Sequence, residues 1–351
     1  MSVSSHVTPE LQIDTLEKLP QPYLLFLGDV IEPGYAKTAF GLRDWARERC
    51  VGEFALPDAR VSTGLPVLHP VAAAERGARS LVIGVANLGG IIPENWLPAL
   101  LEALDAGLDL ISGMHVHLVD IPVLRSAADR LGRRLIDIRR PPAGIQVASG
   151  APRSGRRLLT VGTDCALGKK YTALALTRGL RGRGVDVDFR ATGQTGIIIA
   201  GRGIPIDAVV SDFLAGAAEI LSPAAASDHL DVIEGQGSLF HPSYAWVTLG
   251  LLHGSQPDLF VVCHEPGRAT VLGHPELPLP SIEEVIALTL ALGGLTNPDI
   301  RCAGISLNTM HMDEATASAE IQAASNRFGL PAADPIRAGE AFERLLDACM
   351  A

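Results

Sequence analysis

The sequence predicts an α/β protein of two domains, each built on a parallel sheet. Short apolar runs rich in β-branched residues alternate with segments that carry apolar residues at helix spacing, a pattern typical of βαβ units. A stretch rich in turn formers, residues 141–156, divides this alternation into two series and predicts a linker. The 351 residues suffice for two hydrophobic cores. We therefore expect a first domain over residues 1–140 and a second over residues 157–351.

The first series contains three strand-like runs, at residues 23–27, 80–85 and 134–138. Helical patterns lie among them, at residues 36–49, 93–106 and 122–131. No GxGxxG motif follows the first strand, so the dinucleotide-binding fingerprint is missing. His115 and His117 alternate on one face of an extended segment, but the sequence offers no third ligand, and we predict no metal site there.

The second series is longer and more regular. Its predicted strands cover residues 158–161, 185–189, 230–233, 259–263 and 302–307. Its predicted helices cover residues 168–180, 206–221, 243–253, 282–292, 314–328 and 338–349. This order predicts a parallel sheet covered by helices on both faces.

Composition and charge exclude several classes of protein. With 47% apolar and 19% charged residues, the chain is not expected to be disordered. A net charge of −10 disfavours nucleic-acid and membrane partners, because both bind basic surfaces. No apolar run is long enough to span a membrane, and residues 1–22 are too polar for a signal peptide. Five scattered cysteines suit a reducing compartment, so we expect a cytoplasmic protein.

A glycine-bounded loop lies between the strand at residues 158–161 and the helix that follows. It reads GTDCALGK, residues 162–169, in the strand–loop–helix order typical of phosphate-binding loops. Gly162 and Gly168 allow backbone N–H groups to face an anion, and the helix N-terminus adds positive potential. Lys169 supplies a mobile point charge. An ordinary turn with a surface lysine is the plainer interpretation, which the flanking strand and helix disfavour.

The loop departs in two ways from those of Mg·ATP-dependent enzymes. Its glycines are separated by five residues, one more than is common, and Lys170 occupies the place of the metal-binding Ser or Thr. Thr172 is a substitute hydroxyl on a different side of the first helical turn. Because a second lysine repels Mg²⁺ and attracts phosphate, the loop suits coenzyme A at least as well as ATP, and we predict no bound metal. The predicted cofactor-binding residues are Gly162, Thr163, Asp164, Gly168, Lys169, Lys170, Thr172 and, for an adenine ring, Asn308.

Polar residues follow two further strands, at the sheet edge where open α/β sheets bind ligands. Glu234 follows the strand at residues 230–233 and is a candidate general base, with a helix-capping turn as the alternative. Arg190 follows the strand at residues 185–189 and suits a bidentate grip on a substrate carboxylate, with a solvated strand-end arginine as the alternative. Gln194 and Gln236, in the same two motifs, are assigned to substrate binding.

Two histidines and a cysteine also lie at this predicted edge. His241 and His264 each fall past a strand, and either is a candidate base or a hydrogen-bonded part of the scaffold. We include His241 among the predicted catalytic residues. Cys165 lies in the loop near a helix N-terminus, where it acts either as an acyl-accepting thiolate or as a small loop-filling residue.

The motifs GTDCALGKKYTAL, residues 162–174, and EGQGSLFHPSY, residues 234–244, resemble those of the DgcN-type D-glutamate N-acetyltransferases, a family long filed as a domain of unknown function. ATGQTG and IDAVVSDF between them, and Ala36 to Ala39 with Gly41 and Trp45, extend the resemblance over nearly the whole chain. The loop is also similar to that of dethiobiotin synthetases, which have a Thr after the lysine.

The resemblance implies a Rossmann-like first domain, a P-loop NTPase-like second domain similar to dethiobiotin synthetase, and transfer of acetyl from acetyl-CoA to the amine of D-glutamate. In the predicted mechanism the loop binds the coenzyme phosphates, Arg190 orients a substrate carboxylate, and Glu234 or His241 deprotonates the ammonium. We expect a small anionic amino acid as substrate and a homo-oligomeric enzyme. Two rival interpretations stay open, an Mg·ATP-dependent ligase or kinase and a non-catalytic nucleotide-sensing module.

Overall fold

The computed structural model describes residues 19–337 and 339–351. Residues 1–18 lie outside this description, and so does most of the segment that the sequence predicts to be too polar for a signal peptide. Ala338 of the last predicted helix also lies outside it. The strands are β1 Tyr23–Phe26, β2 Cys50–Phe54, β3 Ser80–Ile83, β4 Asp109–Ser112, β5 Leu135–Asp137, β6 Arg156–Gly162, β7 Val187–Arg190, β8 Leu230–Ile233, β9 Leu259–His264, β10 Thr270–Val271, β11 His274–Pro278, β12 Arg301–Leu307 and β13 Ala332–Ala333.

The α-helices are α1 Lys37–Trp45, α2 Pro70–Glu75, α3 Leu97–Asp105, α4 Pro122–Leu131, α5 Lys169–Gly182, α6 Gln194–Ala200, α7 Ser211–Leu221, α8 Ala245–Ser255, α9 Ile282–Gly293, α10 Glu314–Phe328 and α11 Glu340–Met350. Within the described residues, no helix is both long enough and apolar enough to cross a membrane. Helices alternate with strands along the chain, so the predicted fold class is confirmed.

The first compact unit is built on a five-stranded parallel sheet of order β2-β1-β3-β4-β5. All residues of β1, β3 and β4 are buried, as expected for central strands covered on both faces. The order reverses between β1 and β3, the place where doubly wound sheets of this order bind ligands. The prediction of three strands was incomplete, because β2 contains Gly52 and Glu53, and β4 has only two apolar residues between Asp109 and Ser112.

The second compact unit is built on a six-stranded parallel sheet of order β13-β12-β9-β6-β8-β7. The strand β6 lies at its centre, between β8 and β9, and leads directly into the loop of residues 162–168. A short antiparallel hairpin, β10–β11, follows β9. The predicted helix over residues 206–221 is divided, because Val210 is extended and separates a 3₁₀ turn, Ile206–Ala208, from α7.

The two units do not follow the chain in simple succession. The second comprises Pro142–Gly193 and Val209–Ala351, whereas the segment Gln194–Ala208 clusters with residues 19–141. The chain therefore passes from the second unit to the first and back within the sequence of the second predicted domain.

Candidate active site

The loop between β6 and α5 has the geometry of an anion-binding loop. Gly168 forms the N-cap of α5 with φ of +106°, a conformation that side-chain-bearing residues rarely adopt. Ala166 also has positive φ, 55°, which is uncommon outside glycine and marks a tightly wound loop. The N-terminus of α5 lies at this loop, and the positive end of a helix favours a bound anion.

Lys169 is buried within this loop. Its side chain extends back over the loop, and Nζ donates a hydrogen bond of 2.7 Å to the carbonyl of Asp164. Burial lowers the pKa of the Lys169 ammonium, since the charged form is poorly solvated there. An anion bound in the loop would stabilise that charge. The position of Lys169 thus fits the predicted role of phosphate binding.

Asp164 has no solvent exposure, and its carboxylate is fully engaged within the protein. Oδ1 accepts from the Cys165 N–H at 2.6 Å, and Oδ2 accepts from the Leu272 N–H at 2.7 Å and from Arg268 Nη1 at 3.1 Å. The side chain therefore ties the loop to the β10–β11 hairpin. Both carboxylate oxygens accept from protein donors, and the cofactor-binding role assigned to Asp164 stays a prediction.

His241 holds the same hairpin from the other side. Its Nδ1 accepts the Ser243 N–H at 3.1 Å, so the ring proton lies on Nε2, which donates to the Leu272 carbonyl at 3.2 Å. The ring also packs against Tyr244, at 4.7 Å between centroids. Because both ring nitrogens have protein partners, the scaffold interpretation of His241 fits this structure better than a role as general base.

His264 and Thr163 connect β9 to the loop. The Thr163 hydroxyl and His264 Nδ1 are 3.1 Å apart, and the Thr163 carbonyl accepts from the Ser238 hydroxyl at 3.2 Å. Burial lowers the pKa of His264, which favours the neutral ring. These contacts fix the loop from both neighbouring strands.

Glu234 lies just past β8 and is buried, with 3% exposure. Its Oε2 accepts the backbone N–H groups of Thr192 at 2.9 Å and Gly193 at 3.1 Å. The next residue, Gly235, has no room for a side chain, because an added Cβ would lie 1.6 Å from the Thr160 carbonyl oxygen. The same Cβ would lie 3.2 Å from Lys169 Cδ, so this turn adjoins Lys169. The carboxylate caps a turn, but not the one at α8 that the alternative interpretation named.

Arg190 is paired with two acidic side chains of the second sheet. Its Nε donates to Asp231 at 2.6 Å, its Nη2 lies 3.4 Å from Asp188, and its side chain is 11% exposed. His229 contacts the same Asp231 carboxylate at 3.1 Å. Asp188 and Arg190 lie two residues apart, so their side chains share one face of β7. Asp231 of the neighbouring β8 is in register with Asp188, which explains why Arg190 pairs with both carboxylates. The predicted grip on a substrate carboxylate would require this ion pair to break.

The two predicted glutamines belong to different units. Gln236 donates to the Thr192 hydroxyl at 3.2 Å, beside Glu234. Gln194 begins the segment that clusters with the first unit, where its Oε1 accepts from Arg139 Nη2 at 3.0 Å. Each amide thus has a protein partner of its own.

Three further residues predicted to bind the cofactor have different surroundings in the structure. The Thr172 hydroxyl is buried under the helix, 2.8 Å from the Ser306 hydroxyl, and does not face the loop. Asn308 follows β12, and its Oδ1 accepts the Met310 N–H at 3.3 Å. Lys170 is half-buried, with Nζ over the Tyr171 ring at 5.3 Å from the centroid. The structure therefore places the Lys169 side chain at the loop, sets the Lys170 ammonium over Tyr171 and turns Thr172 away from the loop.

Two groups of side chains in the described residues have spacings that a metal ion could bridge. One is Asp164, Cys165 and His241, and the other is Asp188, His229 and Asp231. In each group an arginine already neutralises an aspartate, Arg268 in the first and Arg190 in the second. A cation would have to displace that guanidinium, so neither group is well suited to a metal.

Comparisons with known proteins agree with this geometry. A family described as "Domain of unknown function (DUF1611_C) P-loop domain" matches residues 146–346, and a "Rossmann-like domain" (DUF1611_N) matches residues 49–141. The chain belongs to the DUF1611 family. The resemblance predicted from the loop and strand-end motifs is thereby confirmed.

Relatives of this DUF1611 protein cover almost its whole length. A protein from Tritonibacter scottomollicae named "D-glutamate N-acetyltransferase" is 48% identical over 94% of this chain and 98% of its own. A protein of the same name from a Pseudoalteromonas species is 46% identical over 92% of this chain and 97% of its own. The crystal structure of a DUF1611 family protein from Anabaena variabilis is 35% identical, with a TM-score of 0.83 over 94% of this chain and 99% of that one.

Arg268 is the residue of this DUF1611 site that the sequence analysis missed. It lies four residues beyond the end of β9, and its Nη1 donates to both the Asp164 carboxylate and, at 3.0 Å, the Cys165 carbonyl. The rule that singled out Glu234 and Arg190, a charged residue past the carboxyl end of a strand, would also have found it.

Proposed function

We propose that this chain transfers the acetyl group of acetyl-CoA to the amine of D-glutamate. The observation that carries the proposal is the pair of relatives with this name, each nearly half identical and matched over at least 97% of its own length. Overall similarity at this level and coverage favours a shared reaction, and the candidate site agrees with it. We also propose a cytoplasmic location, where acetyl-CoA is available and cysteines stay reduced.

We propose that the loop between β6 and α5 binds phosphate groups of acetyl-CoA. The buried Lys169 ammonium and the first N–H groups of α5 are suited to a phosphate. Lys170 stands where a metal-binding hydroxyl would be needed, and Thr172 is bonded to Ser306 instead. These contacts favour a phosphate ligand without Mg²⁺ over the Mg·ATP alternative.

Acetyl transfer to an amino acid also needs a group that removes the ammonium proton, because the neutral amine is the nucleophile. We propose Glu234 for this role, since it follows β8 one strand away from the loop. The pantetheine arm separates the thioester of the coenzyme from its phosphates, so Glu234 acts as the base only if that arm folds back beside β8. If it does not, Glu234 serves the reaction by holding the turn at Thr192 and Gly193.

Product analysis tests the proposed reaction. Purified protein is incubated with acetyl-CoA and either D- or L-glutamate in the presence of EDTA, and the products are separated by chromatography and identified by mass. We expect N-acetyl-D-glutamate and free coenzyme A in equal amounts, with little product from the L-isomer. Absence of acetylated product from either isomer would reject the proposed function.

A further inference from the structure

A negative charge lies inside the loop proposed to bind anions. Asp164 is the third residue of the loop and is wholly buried. At the short distances inside a protein, an unpaired carboxylate would repel a bound phosphate and would itself be costly to bury. Some other group must therefore neutralise Asp164 before the loop can bind an anion well.

Arg268 is placed to do this. Its Nη1 lies 3.1 Å from Asp164 Oδ2 and also donates to the Cys165 carbonyl at 3.0 Å, while Nη2 pairs with Glu265. One guanidinium thus contacts the carboxylate and the backbone of two successive loop residues. Its side chain is 20% exposed, so the pair is largely shielded from solvent. Shielding strengthens the Coulombic attraction and makes the loss of one partner costly, because the other is then left as an unpaired buried charge.

The hairpin after Arg268 completes the arrangement. The Leu272 N–H donates to the same Asp164 oxygen at 2.7 Å, and the Leu272 carbonyl accepts from His241. The hairpin, the loop and the turn after β8 are therefore joined through Asp164 and His241. Loss of the Arg268 guanidinium would leave the carboxylate with backbone donors alone.

We propose that Arg268 is a positioning residue for ligand binding, which neutralises Asp164 and holds the backbone of the loop at Cys165. The positive charge of Lys169 then acts on the ligand and is not cancelled by Asp164. This inference rests on the proposed phosphate-binding role of the loop, but it does not depend on the ligand being acetyl-CoA.

A double-mutant cycle tests the proposal. Arg268→Ala, Asp164→Asn and the double variant are titrated calorimetrically with coenzyme A and, separately, with inorganic pyrophosphate, and their melting temperatures are compared. We expect Arg268→Ala to weaken binding at least about 30-fold, because it leaves a buried charge unpaired. Asp164→Asn alone should weaken binding less than Arg268→Ala, because Arg268 keeps its pair with Glu265, and the double variant should recover most of the loss. Arg183→Ala is the control for loss of an arginine ion pair away from the loop, since Arg183 pairs with the exposed Glu343 and Asp347 at the far end of α5.

Three results would overturn the inference: unchanged binding by Arg268→Ala, a double variant as weak as Arg268→Ala, or Asp164→Asn as weak as Arg268→Ala. The second would indicate that Arg268 contacts the ligand itself. If Arg268→Ala does not fold, two other variants are compared with the wild type in its place. They are Arg268→Lys and the double variant, which has no unpaired charge at position 164. If the expected pattern is seen with pyrophosphate but coenzyme A does not bind, the proposed function fails and the role of Arg268 stands.

Discussion

Glu234 is buried and accepts hydrogen bonds from two backbone N–H groups. Such a carboxylate is firmly oriented, which suits either proton transfer or the support of a turn. The two roles make different demands, because only proton transfer depends on the protonation state of the substrate. The pH dependence of a variant therefore separates them.

Glu234→Gln keeps the shape of the side chain and removes its basicity. If Glu234 is the general base, Glu234→Gln should lower kcat roughly 10²–10⁴-fold at neutral pH. The loss of kcat should be smaller at high pH, where the free amine is abundant. A loss that is equal at all pH values would assign Glu234 to holding the turn. Steady-state rates from pH 6.5 to 10 give the answer. The matched control is Glu53→Gln, since Glu53 is also buried and accepts a backbone N–H, from Thr63, but lies in the other unit.

His229 makes a pH-dependent contribution to stability. Burial alone would lower its pKa, but hydrogen bonds and attraction to Asp186 and Asp231 outweigh burial, and the pKa is raised. A raised pKa means that the stabilisation is fully present below the pKa of an unfolded histidine, about 6.5. It is lost as the pH rises through the higher pKa of the folded state.

We therefore expect His229→Gln to lower the melting temperature more at pH 5.5 than at pH 9. Thermal melts of the variant and the wild type at both values, compared at equal ionic strength, provide the measurement. An equal decrease at both pH values would show that the ion pair with Asp186 and Asp231 contributes no stability of its own.

Among the elements, α7 and α8 pack unusually closely. An added Cβ on Gly250 would lie 1.9 Å from the Leu214 side chain, and one on Gly254 would lie 2.0 Å from the Ala215 carbonyl oxygen. Glycine at these two positions, four residues apart on one face of α8, lets the helix backbones approach each other. The close packing fixes the helix that follows the Glu234 turn.

Gly254→Ala should lower the free energy of unfolding by about 1–3 kcal/mol, because backbone atoms of α7 have to move. Gly182→Ala is the matched control. Gly182 is also helical, at the end of α5, and an added Cβ meets no atom within 4 Å. There the better helix propensity of alanine should raise stability by up to about 1 kcal/mol. Urea unfolding measures both, and a neutral Gly254→Ala would show that α7 shifts at no cost.

The ease of prediction differs between elements for physical reasons. Strands of the second unit such as β6 and β9 are long, apolar runs buried on both faces, so their sequences identify them. The strand β2 reads CVGEF, in which glycine and glutamate obscure the pattern. The hairpin β10–β11 has exposed residues and no alternation, and its position is set by contacts to Asp164 and His241 that local sequence does not encode.

Prediction of the candidate site is limited in the same way, because local sequence does not encode contacts between distant residues. The loop was predictable because its glycines and Lys169 act within one strand–loop–helix unit. The side-chain partners were not, since they come from distant parts of the chain. Arg190 pairs with Asp231, 41 residues away, and Asp164 pairs with Arg268, 104 residues away. Sequence order identifies which residues reach the sheet edge, whereas pairing there depends on the tertiary fold.

At the scale of the whole molecule, the segment Gln194–Ala208 departs most from a linear arrangement of domains. Arg139 of the first unit donates to Gln194 at 3.0 Å, to Asp207 at 2.5 Å and to the Gly113 carbonyl at 2.7 Å, so one guanidinium anchors both ends of the segment. The predicted domain boundaries, at residues 140 and 157, stay predictions, as does the homo-oligomer, which light scattering would check.

The central claim is that the loop between β6 and α5 binds a coenzyme through its phosphates without a metal. Calorimetric titration of the wild type and Lys169→Ala with coenzyme A in EDTA, and with ATP in Mg²⁺, tests it most directly. We expect the wild type to bind coenzyme A without Mg²⁺. Lys169→Ala should weaken that binding by about 2–5 kcal/mol. Its melting temperature should stay close to that of the wild type, because Gly168 still shapes the loop and only the hydrogen bond from Lys169 to the Asp164 carbonyl is lost. Binding of ATP only with Mg²⁺, with no response to coenzyme A, would contradict the claim.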